Sequence, residues 1–234
     1  MPGVKLVTFD LDNTLWAVDE VIHRAEGALL AFLRERYAEL MGRSGALELR
    51  RARSRLLERR PEYAHNLTLL RRDSIREFLL SLKLGERQAS AAADEAFEVF
   101  YEARNQVSLF EGARDALRAL AERFVLGALT NGNADLQRIG LGEFFAFQYS
   151  AESTGRRKPA PDMFQRALRH VNLAAGSAIH VGDHPIEDVR AAREVGMGAV
   201  WANPLGALWP EGEAHPEHSF ALFDELVALS NTWE

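Results

Sequence analysis

Apolar and polar positions change their period twice along this chain. Residues 4–9, Val-Lys-Leu-Val-Thr-Phe, form a short β-rich run that stops at a cluster of Asp and Asn, the pattern of a buried strand ending in a loop. From 21 to about 104 the spacing is helical and rich in Ala, Leu, Glu and Arg. Breaks near Gly42-Arg43-Ser44-Gly45, Arg60-Pro61 and Lys83-Leu84-Gly85 divide it into about four predicted helices with no strand. The pattern changes again at 107–112. Strands are predicted at 124–129, 177–181 and 198–201, and helices at about 112–122, 161–171, 185–196 and 220–230. Strands that alternate with helices imply a parallel sheet, because parallel neighbours need a crossover between them. The predicted class is therefore α/β, with one sheet domain built from 1–16 and 107–234. The helical block 17–106 interrupts it as a cap at the edge where the strands end.

Composition narrows the chemistry. A chain of 234 residues with 47% hydrophobic and 26% charged residues is long enough for a sizeable core and too apolar for global disorder. It contains no Cys, which removes disulfides, thiol nucleophiles and thiolate metal sites and leaves carboxylates, His and hydroxyls. No apolar stretch approaches the ~20 residues that cross a bilayer, and the start lacks a charged head followed by an apolar run. A soluble cytoplasmic protein without a membrane partner is expected. The net charge of −6 argues against a nucleic-acid partner. Residues 20–105 hold sixteen Lys and Arg against fourteen Asp and Glu, so the acidic excess lies outside the helical block. The arginine run at 50–60 is interleaved with Leu and flanked by Glu, as on a solvated helix face.

Ligands of open α/β sheets bind at the carboxyl ends of strands, which makes the residues after each apolar run the candidates. Asp10-Leu11-Asp12-Asn13-Thr14 follows the first strand, Thr130-Asn131-Gly132-Asn133 the second, and Gly182-Asp183 through Asp188 the third. Lys158 precedes Pro159 and a helix. Asp10 and Asp12, two apart, lean to the same side of extended backbone. Ionised carboxylates ~4 Å apart repel by roughly 4 kcal/mol per pair at an effective dielectric of about 20, so the cluster demands a cation. Oxygen ligands without thiolate select Mg²⁺, which also shares its shell with phosphate oxygens. His180, inside an apolar strand, reads as a satisfied core residue; His184 adjoins Asp183 either as a border of the pocket or as a bystander.

These four segments, Asp10 through Thr14, Thr130-Asn131, Lys158-Pro159 and Gly182-Asp183 through Asp188, resemble in order the four motifs of the haloacid dehalogenase-like (HAD) hydrolases. The resemblance covers essentially the whole chain and implies a Rossmann-like core, with 17–106 standing where the family's helical C1 cap sits. It implies a phosphoaspartyl phosphatase with Mg²⁺ as cofactor. Asp10 would be the nucleophile and Asp12 the general acid and base, with a pKa raised by its neighbours. Thr130 and the backbone after it would hold the phosphoryl oxygens, with Asn131 and Gly132 as substrate contacts, and Lys158 would stabilise their charge. Asp10, Asp183 and the main-chain carbonyl of Asp12 would bind the metal. Asp188 would orient the metal or ligate it, with Glu187 as its substitute.

The retained Asp12 favours a phosphatase over relatives that displace halide from carbon, since halide needs no proton. A 2-haloacid dehalogenase remains the alternative, and a non-enzymatic binding module a third. Thr130 through Ala134, Gly140 through Phe145, and the stretches His65-Asn66-Leu67-Thr68 and Arg72-Asp73-Ser74-Ile75 are similar to the bacterial phosphatases of flavin mononucleotide and of the ribityl-aminouracil phosphate that precedes riboflavin. Tyr63, His65, Thr68 and Arg72 are then candidate substrate contacts, the last three at helical offsets that would share a face. Sugar phosphates, nucleoside monophosphates and phosphoglycolate also fit the motifs. The partner is in each case a small phosphate ester, and the sequence leaves monomer and homodimer undecided.

Overall fold

The computed structural model describes residues 3–41 and 45–233. The chain divides into two compact units, one containing the residues up to Val18 and from Val107 onward, the other Asp19–Gln106.

Among the described residues the second unit holds four helices, α1 (Val18–Met41), α2 (Gly45–Arg59), α3 (Leu67–Ser81) and α4 (Glu86–Arg104), with a 3-10 turn at Pro61–His65. Apolar residues three and four apart meet in one core: Ala25, Leu29 and Leu33 of α1, Ile75, Phe78 and Leu79 of α3, and Ala92, Ala96 and Phe100 of α4. Tyr37, at φ −134° and ψ 34°, kinks α1. Pro61 starts the 3-10 turn, and Lys83 at φ 66° ends the chain's path between α3 and α4. The break expected near Gly42 falls largely outside the described residues. One expectation fails here. Asn66 leaves helical geometry at φ −140° and ψ 84°, and its side chain accepts from the Leu69 N–H at 2.9 Å, which caps α3. His65 therefore belongs to the preceding turn and does not share a helical face with Thr68 and Arg72.

The first unit is a six-stranded sheet, parallel throughout, in the order β3-β2-β1-β4-β5-β6. Its strands are β1 (Leu6–Phe9), β2 (Val125–Thr130), β3 (Phe147–Ser150), β4 (Ala178–Gly182), β5 (Gly198–Ala202) and β6 (His218–Phe220). β3 and β6, absent from the sequence expectation, are the two edges. Three of the four β3 residues are only half-buried, and β6 is three residues long, so neither carries a continuous apolar run. β3 lies close against β2 because Gly127 has no Cβ; one built there would sit 2.3 Å from the Phe147 ring.

The remaining helices are α5 (Ala113–Ala121), α6 (Leu136–Ile139), α7 (Ala151–Thr154), α8 (Asp162–Val171), α9 (Ala191–Glu194) and α10 (Phe223–Ser230). Met163, Phe164 and Ala167 of α8 join Leu6, Leu129 and Val189 in one core, while α5 packs with α10. The single helix expected at 185–196 is instead a π-helical turn, Pro185–Arg190, leading into α9. The wide turn is visible in the Val189 N–H, which reaches five residues back to the His184 carbonyl at 3.2 Å. The helix expected from 220 begins at Phe223, since 218–220 pair as β6.

This strand order fixes where a ligand belongs. From β1 the chain proceeds to β2 on one side and later to β4 on the other, so β1 and β4 flank the topological switch point. Asp10 follows β1 and Asp183 follows β4. The Asp10 N–H still donates to the Val181 carbonyl at 2.8 Å, so the pairing continues up to the candidate site.

Candidate active site

A cavity of about 170 Å³ opens at that crevice, lined by Asp10, Asp12, Thr130, Asn131, Gly132 and Asp183 among others. All three strand-end segments therefore converge on it. Lys158 does not line the cavity. Its side chain is 1% exposed, and Nζ donates to Asp10 Oδ1 at 2.7 Å, to Asp188 Oδ1 at 2.6 Å and to the Leu129 carbonyl at 2.6 Å. All three ammonium hydrogens are thus spent on the nucleophile candidate, a buried carboxylate and a strand end.

Asn131 explains why Lys158 arrives there. Its Oδ1 accepts from the Lys158 N–H at 2.7 Å, and its Nδ2 donates to the Lys158 carbonyl at 3.0 Å and to Glu187 Oε2 at 2.8 Å. The amide expected to contact substrate lines the cavity and also brackets the lysine's backbone. Glu187 also accepts from Arg157 at 3.0 Å, so it ties two loops together. Thr130 Oγ1 accepts from the Gly132 N–H at 2.9 Å, which folds that loop over the strand end.

Asp188 sits at the centre of the buried polar set. Oδ1 accepts from Lys158 and from His180 Nε2 at 3.0 Å, and Oδ2 accepts from the His184 N–H at 2.9 Å. Gly182 makes room for it: a Cβ at that position would lie 2.4 Å from Asp188 Cγ. His184 Nδ1 accepts from the N–H groups of Ile186 and Glu187 and so caps the π turn. Thr14 Oγ1 lies 3.4 Å from both Asp10 Oδ2 and Asp183 Oδ1, a long bridge between the two acids. Asp12, also on the cavity wall, accepts from the Trp16 indole N–H at 2.9 Å.

Carboxylate oxygens of Asp10, Asp183 and Asp188 lie within 4.8 Å of one another. Burial pushes Asp10 well above the usual carboxylate range, with the Asp188 and Asp183 charges adding to the shift against the pull of Lys158. Burial likewise carries Asp183 up to about 7, helped by Asp188. Burial works against ionisation of Asp188 too, but Lys158 and the His180 hydrogen bond overcome it and hold that carboxyl well below its ordinary value. Lys158 is raised by Asp10 and Asp188 despite its burial, and burial keeps His180 neutral by lowering it. With all three carboxylates ionised against one ammonium there would be two surplus negative charges, which a divalent cation would balance in place of the retained protons. The donor set is all oxygen, as hard Mg²⁺-like ions require, so the residues fit such an ion. Asp10 and Asp183 would be its stronger donors, since both Asp188 oxygens accept close bonds from Lys158, His180 and His184, whereas only the long Thr14 contacts at 3.4 Å meet Asp10 Oδ2 and Asp183.

The haloacid dehalogenase-like hydrolase model matches residues 4–196, which spans the β1 loop, the Lys158 loop and the Asp183–Asp188 turn. The chain belongs to the haloacid dehalogenase-like hydrolases. It is an enzyme of that family, with the family's α/β fold. It is 36% identical over 201 residues to 5-amino-6-(5-phospho-D-ribitylamino)uracil phosphatase YigB of Escherichia coli (strain K12), covering 86% of this chain and 84% of that protein. Glyceraldehyde 3-phosphate phosphatase of Pyrococcus abyssi (strain GE5 / Orsay) is 32% identical over 211 residues, covering 85% and 81%. A solved structure described as a 2-haloacid dehalogenase from Pseudomonas syringae pv. Tomato DC3000 superposes with a TM-score of 0.93 at 40% identity, covering 99% of this chain and 100% of that one.

Within this HAD hydrolase the candidates Tyr63, His65, Thr68 and Arg72 lie in the helical unit, and Tyr63 and Arg72 are paired within it. Tyr63 donates its hydroxyl to Asp73 Oδ2 at 2.7 Å, and Arg72 pairs with Asp94 at 3.4 Å. Thr68 and Arg72 are four apart on α3. Sequence reasoning assigned no role to Trp16, Thr14 or Thr8. A signal existed for the first two, because Thr14 and Trp16 stand four residues after Asp10 and Asp12.

Proposed function

We propose that this chain is a Mg²⁺-dependent phosphomonoester hydrolase that works through an aspartyl-phosphate on Asp10. Its substrate is flavin mononucleotide or the ribityl-aminouracil phosphate that precedes riboflavin, two esters of a primary ribityl alcohol. The observation that carries the reading is the pair of acids at the β1 end. Asp10 is gripped by Lys158 at 2.7 Å, and Asp12 is held two residues later by Trp16 at 2.9 Å. The reaction class is supported by two relatives named as phosphatases, and the ribityl-aminouracil phosphate by the name of the more similar of them.

Lys158 occupies Asp10 Oδ1 and leaves Oδ2 to attack phosphorus in line. As that P–O bond forms, the bond from phosphorus to the ester oxygen breaks, and the departing alkoxide takes its proton from Asp12. Asp12, now ionised, removes a proton from water. The resulting hydroxide displaces Asp10 from phosphorus and releases inorganic phosphate. Thr130 and the loop after it, at the rim of the cavity, hold the phosphoryl oxygens. Asp10 and Asp183, together with Asp188, would hold a Mg²⁺ ion, which would neutralise charge on those oxygens. The helical unit acts as the cap that selects the leaving group.

A second reading, a 2-haloacid dehalogenase, is favoured by the 40% identical solved structure bearing that description. Asp12 argues against it, since a departing halide requires no proton donor. A panel of phosphomonoesters with Mg²⁺, run beside halide release from a 2-haloacid, separates the two. Phosphate release led by flavin mononucleotide supports the proposal. A flat preference removes the flavin assignment, and halide release without phosphate release removes the phosphatase.

A further inference from the structure

Thr8 of β1 and His180 of β4 are register partners on adjacent strands, and both are fully buried. The Thr8 hydroxyl lies 2.8 Å from His180 Nδ1, and His180 Nε2 lies 3.0 Å from Asp188 Oδ1. Phe164 closes the slot edge-on, its ring centroid 5.0 Å from that of the imidazole. The ring's hydrogen placement follows from these neighbours. Nε2 faces the Asp188 carboxylate and carries the hydrogen, so Nδ1 of the neutral ring accepts from the Thr8 hydroxyl at 2.8 Å, a closer approach than the 3.3 Å from that hydroxyl to the competing Ile179 carbonyl. An apolar β-branched residue would fill such a strand position without a partner, whereas burying an imidazole is costly unless both nitrogens are bonded. Both are bonded here, and the bond leads outward to the site.

We propose that His180, held by Thr8, is a positioning residue that fixes Asp188 Oδ1 and through it the Lys158 ammonium on Asp10. The chain of bonds runs from Thr8 through His180, Asp188 and Lys158 to the nucleophile candidate. It starts only two residues before Asp10, whose N–H is held by the Val181 carbonyl, so β4 fixes the backbone of the nucleophile candidate and the lysine fixes its carboxylate. The proposal rests on the phosphatase reading for its kinetic consequence and on the hydrogen bonds for its structural one.

The test compares His180→Leu, His180→Gln and Thr8→Val with the wild-type enzyme. Gln can return a donor to the Nε2 position, and Leu cannot. His180→Leu is expected to lower kcat by about 10–100-fold, the usual effect of removing such a support, with KM moved by less than about threefold. His180→Gln should recover most of the loss, and Thr8→Val should fall between. A readout independent of turnover is the Lys158 ammonium signal in ¹⁵N–¹H NMR. It should be protected from exchange in the wild-type protein, lost in His180→Leu and regained in His180→Gln. If Leu leaves both readouts at wild-type values, or Gln is as impaired as Leu, the proposal is wrong. Should His180→Leu fail to fold, Thr8→Val decides: wild-type kcat and ammonium signal would overturn the proposal, and a loss of both upholds it. A wild-type protein that hydrolyses no phosphomonoester would remove the phosphatase reading instead, and the ammonium signal would still judge the positioning role.

Discussion

Trp16 donates its indole N–H to Asp12 Oδ1 at 2.9 Å, and its side chain is completely buried. The bond holds by one oxygen the group assigned to move protons. Trp16→Phe keeps an aromatic ring in the slot and deletes only that donor and part of the volume. Turnover is expected to fall about tenfold at nearly constant KM, with about 1–2 kcal/mol lost in stability. Steady-state kinetics and urea unfolding measure the two, and an unchanged kcat would make the bond incidental to the reaction.

Lys158 lies within 2.7 Å of two carboxylates that would otherwise repel each other in a dry environment. Lys158→Met removes the shared cation and leaves Asp10 and Asp188 buried without it. Breaking a buried pair in this way costs about 3–5 kcal/mol, partly relieved here when Asp10 takes a proton. A protonated Asp10 is no nucleophile, so turnover should drop by about 10²–10³ or more. Initial rates on a protein shown to be folded by near-UV circular dichroism check this; activity within tenfold of wild type would contradict it.

The acid cluster also makes stability depend on pH and metal together. In the folded, metal-free protein Asp183 titrates near 7 against an ordinary 3.8, so it keeps a proton that the unfolded chain has already released. Asp10 is shifted in the same direction. Where the folded state binds more protons, stability falls as pH rises, so this contribution declines from about pH 4 to about pH 7. Asp188, shifted the other way, loses its contribution only in strong acid. Mg²⁺ competes with those protons, so it should raise the melting temperature more at about pH 8 than at about pH 5. Thermal melts with and without Mg²⁺ test this, and an equal Mg²⁺ effect at both pH values would contradict the cluster as its site.

Much of the site was readable before the fold because its residues follow strands. Asp10, Asp12 and Asp183 stand directly after apolar runs, and a parallel sheet sends such positions to one edge. Lys158 was marked only by its place between segments, yet it reaches Asp10. What stayed hidden depends on geometry that spacing does not encode. Asn131 has the composition of a substrate contact but spends its amide on the Lys158 backbone, a pairing across 27 positions of chain. His65 lost its helical face because Asn66 chose a capping role over helix continuation. The edge strands β3 and β6 are too short and too polar to register as buried runs. His180 looked like a satisfied core residue; it is one, and the partner that satisfies it is what links it to the site.

The most direct test of the nucleophile assignment is phosphate release from flavin mononucleotide, with saturating Mg²⁺, by the wild-type enzyme and by Asp10→Asn. The amide nearly preserves the shape of the carboxylate and cannot form the aspartyl-phosphate. The expected result is a loss on the order of 10³-fold or more in kcat with the melting temperature essentially retained. An Asp10→Asn enzyme that keeps a few per cent or more of wild-type turnover would contradict the account.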